Sequence, residues 1–132
     1  MGSTNFQLND IINSLNIKTP FKGCVMKDEL KNLKKTENEY GICNTQDSSQ
    51  NGRHWFLWFI RNGQNYYFDS YGSPILPELR EYLGENIMSS TFQIQSWDEE
   101  DKTMCGEYCC LVAYLLSRNC RFEDIVLELV HD

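Results

Sequence analysis

A histidine and an aspartate stand on either side of a β-hairpin that the sequence predicts. Asn62-Gly63 is a strong signal for a two-residue hairpin turn, and runs of apolar and aromatic residues flank it. With these two residues at the centre of the turn, His54 faces Tyr71 and Phe56 faces Asp69. His54 and Asp69 then share one sheet face as diagonal neighbours, about 7–8 Å apart at Cα. A carboxylate there fixes the imidazole tautomer and raises its basicity, although such a pair at strand ends can also be ordinary surface residues.

The residue best placed to act as a nucleophile is Cys105. It lies where the acidic segment 98–101 leads into the most apolar predicted helix, and Thr103 is a plausible N-cap. A thiol in the first helical turn feels the positive end of the helix dipole, which favours the thiolate. Gly106 has no side chain, so the backbone N–H groups of Cys105 and Gly106 can approach a substrate oxyanion. Taken alone, however, this context fits a buried structural thiol better.

The other candidate side chains follow from elimination and from strand alternation. The sequence has two histidines, and His131 stands at the C-terminal end, so a Cys/His enzyme would use His54. Gln95, or Gln93 on the same face of a predicted strand, can offer a side-chain N–H to the oxyanion, although a strand glutamine is usually polar surface. Cys109 and Cys110 lie inside the helix and are expected in the core.

Composition indicates one intracellular domain over residues 1–132. The net charge of −7 argues against binding to nucleic acid or to an anionic membrane. The longest apolar run, 108–116, is too short for a membrane span, and the N-terminus lacks the features of a secretory signal. Six cysteines fall below the ~8–10% of disulfide scaffolds, so we expect reduced thiols. No Cys-x-x-Cys pair is present, and we expect neither a metal nor a cofactor.

The hydrophobic pattern predicts an α+β domain with a small, mainly antiparallel sheet packed by helices. The first helix follows a capping box at Thr4 and ends before Pro20, and the strand 54–60 is apolar on both faces. The remaining expected elements are a solvated helix or loop over 27–38, strands over 40–44, 66–69 and 91–96, a helix from Ser73-Pro74 to Gly84, a helix from Cys105, and a last helix over 122–130.

The order of these motifs resembles the adenovirus-type cysteine proteases, the adenain family, within the wider Ulp/SENP-like group. The resemblance rests on His54-Trp55, on 68–72 (Phe-Asp-Ser-Tyr-Gly), on a following glutamine and on 105–110 (Cys-Gly-Glu-Tyr-Cys-Cys). It extends to the opening helix and covers most of the chain. It implies a papain-like, adenain-like fold in which Cys105 is the nucleophile, His54 the general base and acid, Asp69 its orienting partner and Gln95 an oxyanion donor.

The function implied by the resemblance is a thiol endopeptidase of a virus or virus-like element. Such an enzyme cleaves capsid and core precursors after small residues, often glycine, in the host cytoplasm or nucleus or inside the virion. We expect protein substrates, a monomer and no membrane. An activating disulfide-linked peptide is not expected, because no cysteine lies between Gly84 and Gln95, and the negative charge disfavours a DNA cofactor. The alternatives are an isopeptidase for ubiquitin-like or SUMO-like proteins and an inactive binding module of the same fold.

Overall fold

The computed structural model describes residues 4–44, 54–90, 92–94 and 105–131. These residues form a mixed α and β structure, as the sequence predicts. The elements are α1 (Asn5–Leu15), β1 (Phe21–Met26), a 3-10 helix (Lys27–Asn32), β2 (Glu39–Asn44), β3 (Trp55–Arg61), β4 (Gln64–Phe68), α2 (Pro77–Leu83), β5 (Ile87–Ser89), α3 (Cys105–Ser117) and α4 (Phe122–His131).

The five strands form one sheet in the order β1-β2-β3-β4-β5. The prediction of a mainly antiparallel sheet holds only in part, because the sheet is mixed. The two inner pairs, β2–β3 and β3–β4, are antiparallel, whereas the outer pairs, β1–β2 and β4–β5, are parallel. The reason lies in the connections. The tight turn at Asn62-Gly63 enforces antiparallel pairing of β3 and β4, whereas the 3-10 helix after β1 and α2 after β4 carry the chain back for parallel pairing.

The register of the central hairpin is confirmed. Leu57 pairs with Phe68 and Arg61 with Gln64 on either side of the predicted turn. Asn62 and Gly63 both have positive φ, 51° and 81°, as a two-residue turn of the type that matches strand twist requires. The ladder ends at Leu57 and Phe68, so His54 and Asp69 lie just beyond its open end.

The sheet is buried on both faces, as predicted for its central strand. Side chains of β3 alternate between two cores. Trp55, Leu57 and Phe59 pack with residues of α1, α3 and α4. Phe56, Trp58 and Ile60 pack on the opposite face with residues of α2 and the 3-10 helix. The two cores fix β3 firmly, and with it the position of His54 immediately before the strand.

The structure bears out the predicted helices at 5–15, 105–117 and 122–131, including the capping box at Thr4. The helix predicted from Ser73-Pro74 instead begins at Pro77, with Leu76 as its extended N-cap, although it ends at Gly84 as expected. Leu76 precedes Pro77, and a residue before proline is disfavoured in helical conformation, so the helix cannot run from Ser73 through Leu76.

Two strands differ from the sequence prediction. Residues 92–94 of the strand expected over 91–96 are not in a strand, and residues 91, 95 and 96 lie outside the described part of the chain. The last strand of the sheet is the short β5, and β1 was not anticipated.

A buried carboxylate ties the second face of the sheet together. Glu39, on β2, is 0% exposed. Its Oε2 accepts hydrogen bonds from Trp58 Nε1 at 2.9 Å and from the Tyr82 hydroxyl at 2.6 Å. Its Oε1 accepts from the backbone N–H and hydroxyl of Thr36, at 2.6 and 2.9 Å, and lies 4.0 Å from Lys22 Nζ. Glu39 thereby joins β2, β3 and α2.

Replacing Glu39 by glutamine should lower the free energy of unfolding by about 2–3 kcal/mol. The side-chain NH₂ of glutamine cannot accept the hydrogen bonds that one carboxylate oxygen now receives, and buried donors are then left unpaired. Glu37→Gln is the matched control, since Glu37 is exposed two residues away and should change stability by less than about 0.5 kcal/mol. Urea denaturation measures both, and equal effects would contradict the structural role of Glu39.

Candidate active site

The predicted contact between His54 and Asp69 is present. His54 Nε2 lies 2.5 Å from Asp69 Oδ1, in a salt-bridge geometry when the imidazole is protonated. Asp69 is 0% exposed and His54 8% exposed. A buried carboxylate so close to one ring nitrogen holds that nitrogen as the N–H donor, which leaves Nδ1 to face another group.

The chain immediately after β4 folds around the Asp69 carboxylate. Its Oδ1 also accepts the backbone N–H of Tyr71 at 3.1 Å, and its Oδ2 accepts that of Ser73 at 2.8 Å. The Gly72 N–H donates to the Asp69 carbonyl at 3.0 Å, and Gly72 has a φ of 70°, which suits glycine. Sequence reasoning missed Ser73 in this role. The signal was an aspartate followed by serine and glycine, which is typical of a turn closed by its own side chain.

Aromatic rings hold the imidazole on two sides. The His54 ring lies 4.6 Å from the Tyr71 ring and makes an edge contact with the Phe56 ring at 4.9 Å between centroids. Phe56 in turn packs against Tyr67 at 5.3 Å. Packing at these distances restricts ring rotation, so the orientation of His54 is set by apolar contact as well as by Asp69.

Cys105 is the first residue of α3 and is buried, with 1% of its surface exposed. Its thiol is a side-chain hydrogen-bond partner of His54. Because Asp69 occupies Nε2, we assign the other ring nitrogen, Nδ1, to the sulfur. The structure therefore brings His54, Asp69 and Cys105 together around one imidazole.

The electrostatics of the cluster favour a protonated imidazole. Burial of His54 by itself lowers its pKa, but hydrogen bonds to Asp69 and Cys105, together with their negative charge, outweigh burial. The net result is a pKa of His54 raised from 6.5 to about 9. At neutral pH the His54 imidazole is thus cationic beside the Cys105 sulfur.

Two contacts position α3 against the sheet and so place Cys105. One turn along the helix, the Cys109 thiol donates to the Trp55 carbonyl at 3.5 Å, next to His54. Gly106 lies against α1, since a Cβ on Gly106 would come within 2.6 Å of Leu8 Cδ2. Sequence analysis assigned Gly106 to the approach of a substrate oxyanion. The structure adds a packing reason for glycine at this position.

Four of the other cysteines are poorly suited to react at neutral pH. Burial raises the pKa of the Cys24, Cys43 and Cys110 thiols to about 12 and that of Cys109 well above its ordinary value. All six cysteines are free thiols.

Of the two glutamine candidates, the structure describes Gln93. Gln95 lies outside the described residues, as do Thr103 and the acidic segment 98–101. Gln93 is described and is exposed. The N–H of Ile94 donates to the carbonyl of Ser70 at 2.8 Å, which fixes the residue before Gln95 beside the Asp69 turn.

No family model matches this chain, and neither does any curated protein. The adenain-type resemblance therefore remains a prediction. Within the described ranges, no helix is long and apolar enough to cross a membrane. The same residues contain no group of three or more His, Cys, Asp or Glu side chains that could hold a metal ion.

Gly106→Ala should destabilise the protein by about 1–3 kcal/mol, because the added methyl group meets Leu8 in a packed interface. In a Leu8→Ala background the clash is absent, and the higher helix propensity of alanine, worth about 1 kcal/mol, should make the same substitution neutral or stabilising. Urea denaturation of the wild type, both single variants and the double variant measures the effect of Gly106→Ala on the free energy of unfolding. That effect should change sign or vanish in the Leu8→Ala background. A stabilising effect of Gly106→Ala in the wild type would contradict the close approach of α1.

The imidazole of His54 should titrate near pH 9 in ¹³C-labelled protein followed by NMR, with His131→Gln removing the second histidine signal. Asp69→Asn should lower this midpoint, since the hydrogen bond and the charge that raise the pKa are weakened. The folded-state pKa exceeds the ordinary 6.5. The stability contributed by His54 is therefore complete below about pH 6.5 and lost as pH rises through about 9. A midpoint at or below 6.5, or one unmoved by Asp69→Asn, would show that the pair does not control His54.

Proposed function

We propose that this protein is a cysteine peptidase in which Cys105, His54 and Asp69 form the catalytic triad. The observation that carries the proposal is the single imidazole with a buried carboxylate 2.5 Å from Nε2 and the Cys105 thiol as its other partner. A nucleophile, a base and a group that orients the base are the three parts that acyl transfer through a covalent intermediate requires.

The reaction begins from the form in which His54 already holds the Cys105 proton, so that a thiolate stands beside an imidazolium. The thiolate attacks the carbonyl carbon of the peptide bond, and a tetrahedral intermediate with a negative oxygen forms. Protonated His54 then gives its proton to the leaving amine as the C–N bond breaks, and a thioester remains on Cys105. Water, deprotonated by His54, attacks the thioester, and the carboxylic acid product leaves as the thiol is restored. Asp69 stays ionised and stabilises the imidazolium throughout.

The oxyanion has donors at the start of α3. The first four N–H groups of a helix have no acceptor within it, so the amides of Cys105 and Gly106 are suited to a negative oxygen. They also lie at the positive end of the helix dipole. Gln95 is proposed as an additional donor, supported by the anchoring of the preceding Ile94 on the Asp69 turn.

The finer proposal is an adenain-type or Ulp-type endopeptidase with a papain-like fold. It is supported by the order of His54, Asp69, Gln95 and Cys105 along the chain and by a nucleophile at the start of a helix that packs on a mixed sheet. The crowding of His54 by Tyr71 favours substrates with small residues, such as glycine, at the cleavage site. Trp55 and Trp58 are buried in the two cores and do not contribute to that restriction.

The natural substrates proposed from the resemblance are precursor proteins of a virus or virus-like element. Free thiols at all six cysteines are consistent with a reducing compartment of the host cell.

Fluorogenic reporter substrates distinguish the endopeptidase from its two alternatives. Hydrolysis of a Gly-X-Gly-X peptide supports the endopeptidase, hydrolysis of ubiquitin or SUMO C-terminal reporters supports an isopeptidase, and neither supports an inactive binding module.

Cys105→Ala should abolish turnover of the peptide reporter, because the variant has no nucleophile, while the unfolding midpoint stays close to that of the wild type. Cys110→Ala is the matched control on the same helix. It removes a buried thiol that faces the core, and it should retain activity. Iodoacetamide at pH 7 should label Cys105 before Cys24, Cys43, Cys109 and Cys110, whose pKa values burial raises. Residual activity in Cys105→Ala, or no preferential labelling of Cys105, would overturn the assignment of the nucleophile.

A further inference from the structure

A cleft of about 440 Å³ opens beside the turn that holds the catalytic aspartate. This volume lies within the roughly 300–1,000 Å³ of typical ligand pockets. The cleft is bounded by the Asp69 turn, by α2 and by the residues that end β5. The polar and turn residues lining it are Tyr67, Gly72, Ser73, Arg80, Ser89 and Ser90.

The cleft adjoins the turn that holds the aspartate of the proposed triad. Tyr67 stands two residues before Asp69 and lies on the sheet face that also carries Phe56, which touches the His54 ring. The N–H of Ser73 donates to Asp69 Oδ2 at 2.8 Å, so the residue that orients the base also shapes the wall of the cleft. The cleft and the proposed triad therefore share one structural element, the Asp69 turn.

Arg80 gives the cleft a positive charge in a protein of net charge −7. Its neighbours three and four residues away on the helix are Leu76, Pro77, Leu83 and Gly84, so α2 supplies no carboxylate partner. None of the ion pairs found within the described ranges involves Arg80. A guanidinium that lines a cleft without an internal acid is suited to an external carboxylate.

The hydroxyl groups around Arg80 also favour a ligand that accepts hydrogen bonds. The Ser90 Oγ accepts the N–H of Phe92 at 3.1 Å, which leaves its proton available for donation. The Tyr67 hydroxyl already donates to the carbonyls of Ser73 and Pro74, each at 3.3 Å. Its proton therefore stabilises the wall of the cleft and is not offered to a ligand. Arg80 and the serine hydroxyls together form a set of donors.

The position of the cleft indicates which part of the substrate it contacts, the part before or the part after the scissile bond. The acyl part of the substrate is bonded to Cys105, whereas the leaving amine takes its proton from His54. The Asp69 turn lies on the far side of the imidazole from the thiol. A cleft formed by this turn therefore meets the segment that follows the scissile bond.

On the basis of the proposed peptidase function, we propose that this cleft is a specificity subsite. It binds an acidic side chain, aspartate or glutamate, on the C-terminal side of the cleaved bond, with Arg80 as the charged partner. Extended peptides advance about 3.4 Å per residue, so the acidic residue lies within the first few positions after that bond.

The test begins with a peptide library digested by the wild-type protein, with cleavage sites read by mass spectrometry. Aspartate or glutamate should be enriched at one position after the cleaved bond. A matched pair of peptides that differ only by Glu or Gln at that position then gives the ratio of kcat/KM. We expect the Glu peptide to be preferred about fivefold, the size typical of a partly exposed charge pair.

Arg80→Gln should bring this ratio close to one, and Arg80→Glu should shift the preference to a Lys peptide. Arg118→Gln, which removes an exposed arginine from the end of α3, is the control and should leave the ratio unchanged. Cleavage without any Glu/Gln preference, or a preference that survives Arg80→Gln, overturns the subsite and leaves the peptidase intact. Absence of cleavage together with absence of selective Cys105 labelling instead overturns the proposed function, and the subsite with it.

Discussion

The burial of the Asp69 carboxylate is the constraint on which the site depends. A carboxylate removed from water is costly unless its oxygens are fully hydrogen bonded, and Asp69 is 0% exposed. Two backbone N–H groups of the following turn and the His54 ring meet that requirement. The same hydrogen bonds fix the path of the chain from Asp69 to Ser73. One side chain thus sets the end of β4, the path of the next segment and the orientation of the imidazole.

Two separate sets of contacts bring groups to this carboxylate: the pairing of β3 with β4, and the packing of α3. The register of the β3–β4 hairpin decides that His54 and Asp69 share a face, and a slip of one residue would separate them. Cys105 arrives from the opposite core, where α3 is held by Leu8 on Gly106 and by the Cys109 thiol on β3. The three groups meet because each lies at the end of its element. His54 precedes β3, Asp69 follows β4, and Cys105 begins α3.

The sequence was most informative where local signals agree with tertiary structure. Asn62-Gly63 demands positive φ at both residues, and that single requirement predicts the whole hairpin register and the His54–Asp69 contact. The contact of Cys105 with His54 was expected only through resemblance, because no local pattern encodes how a helix docks 50 residues further along the chain.

The strands that the sequence did not predict depend on distant residues rather than on local signals. The half-buried Phe21–Met26 and the three-residue β5 lack alternation, and their parallel pairing depends on distant strands. The start of α2 was misplaced for a different, local reason. Ser73-Pro74 is a good helix start by local rules, but Pro77 disfavours helical conformation at the preceding Leu76, so the helix begins at the second proline.

Among the described residues, the carboxylates of Glu39 and Asp69 are fully buried, and their surroundings differ in a way that separates structure from chemistry. Glu39 is bonded to an indole, a phenol and a threonine, none of which changes charge near neutral pH, so it can only hold elements together. Asp69 is bonded to an imidazole whose pKa is raised to about 9 and which also meets a thiol. A buried ion pair is by itself weak evidence for stability, since apolar groups often serve as well. Apolar packing cannot replace a titratable group held between a carboxylate and a thiol, and this contrast supports the proposed catalysis at Cys105.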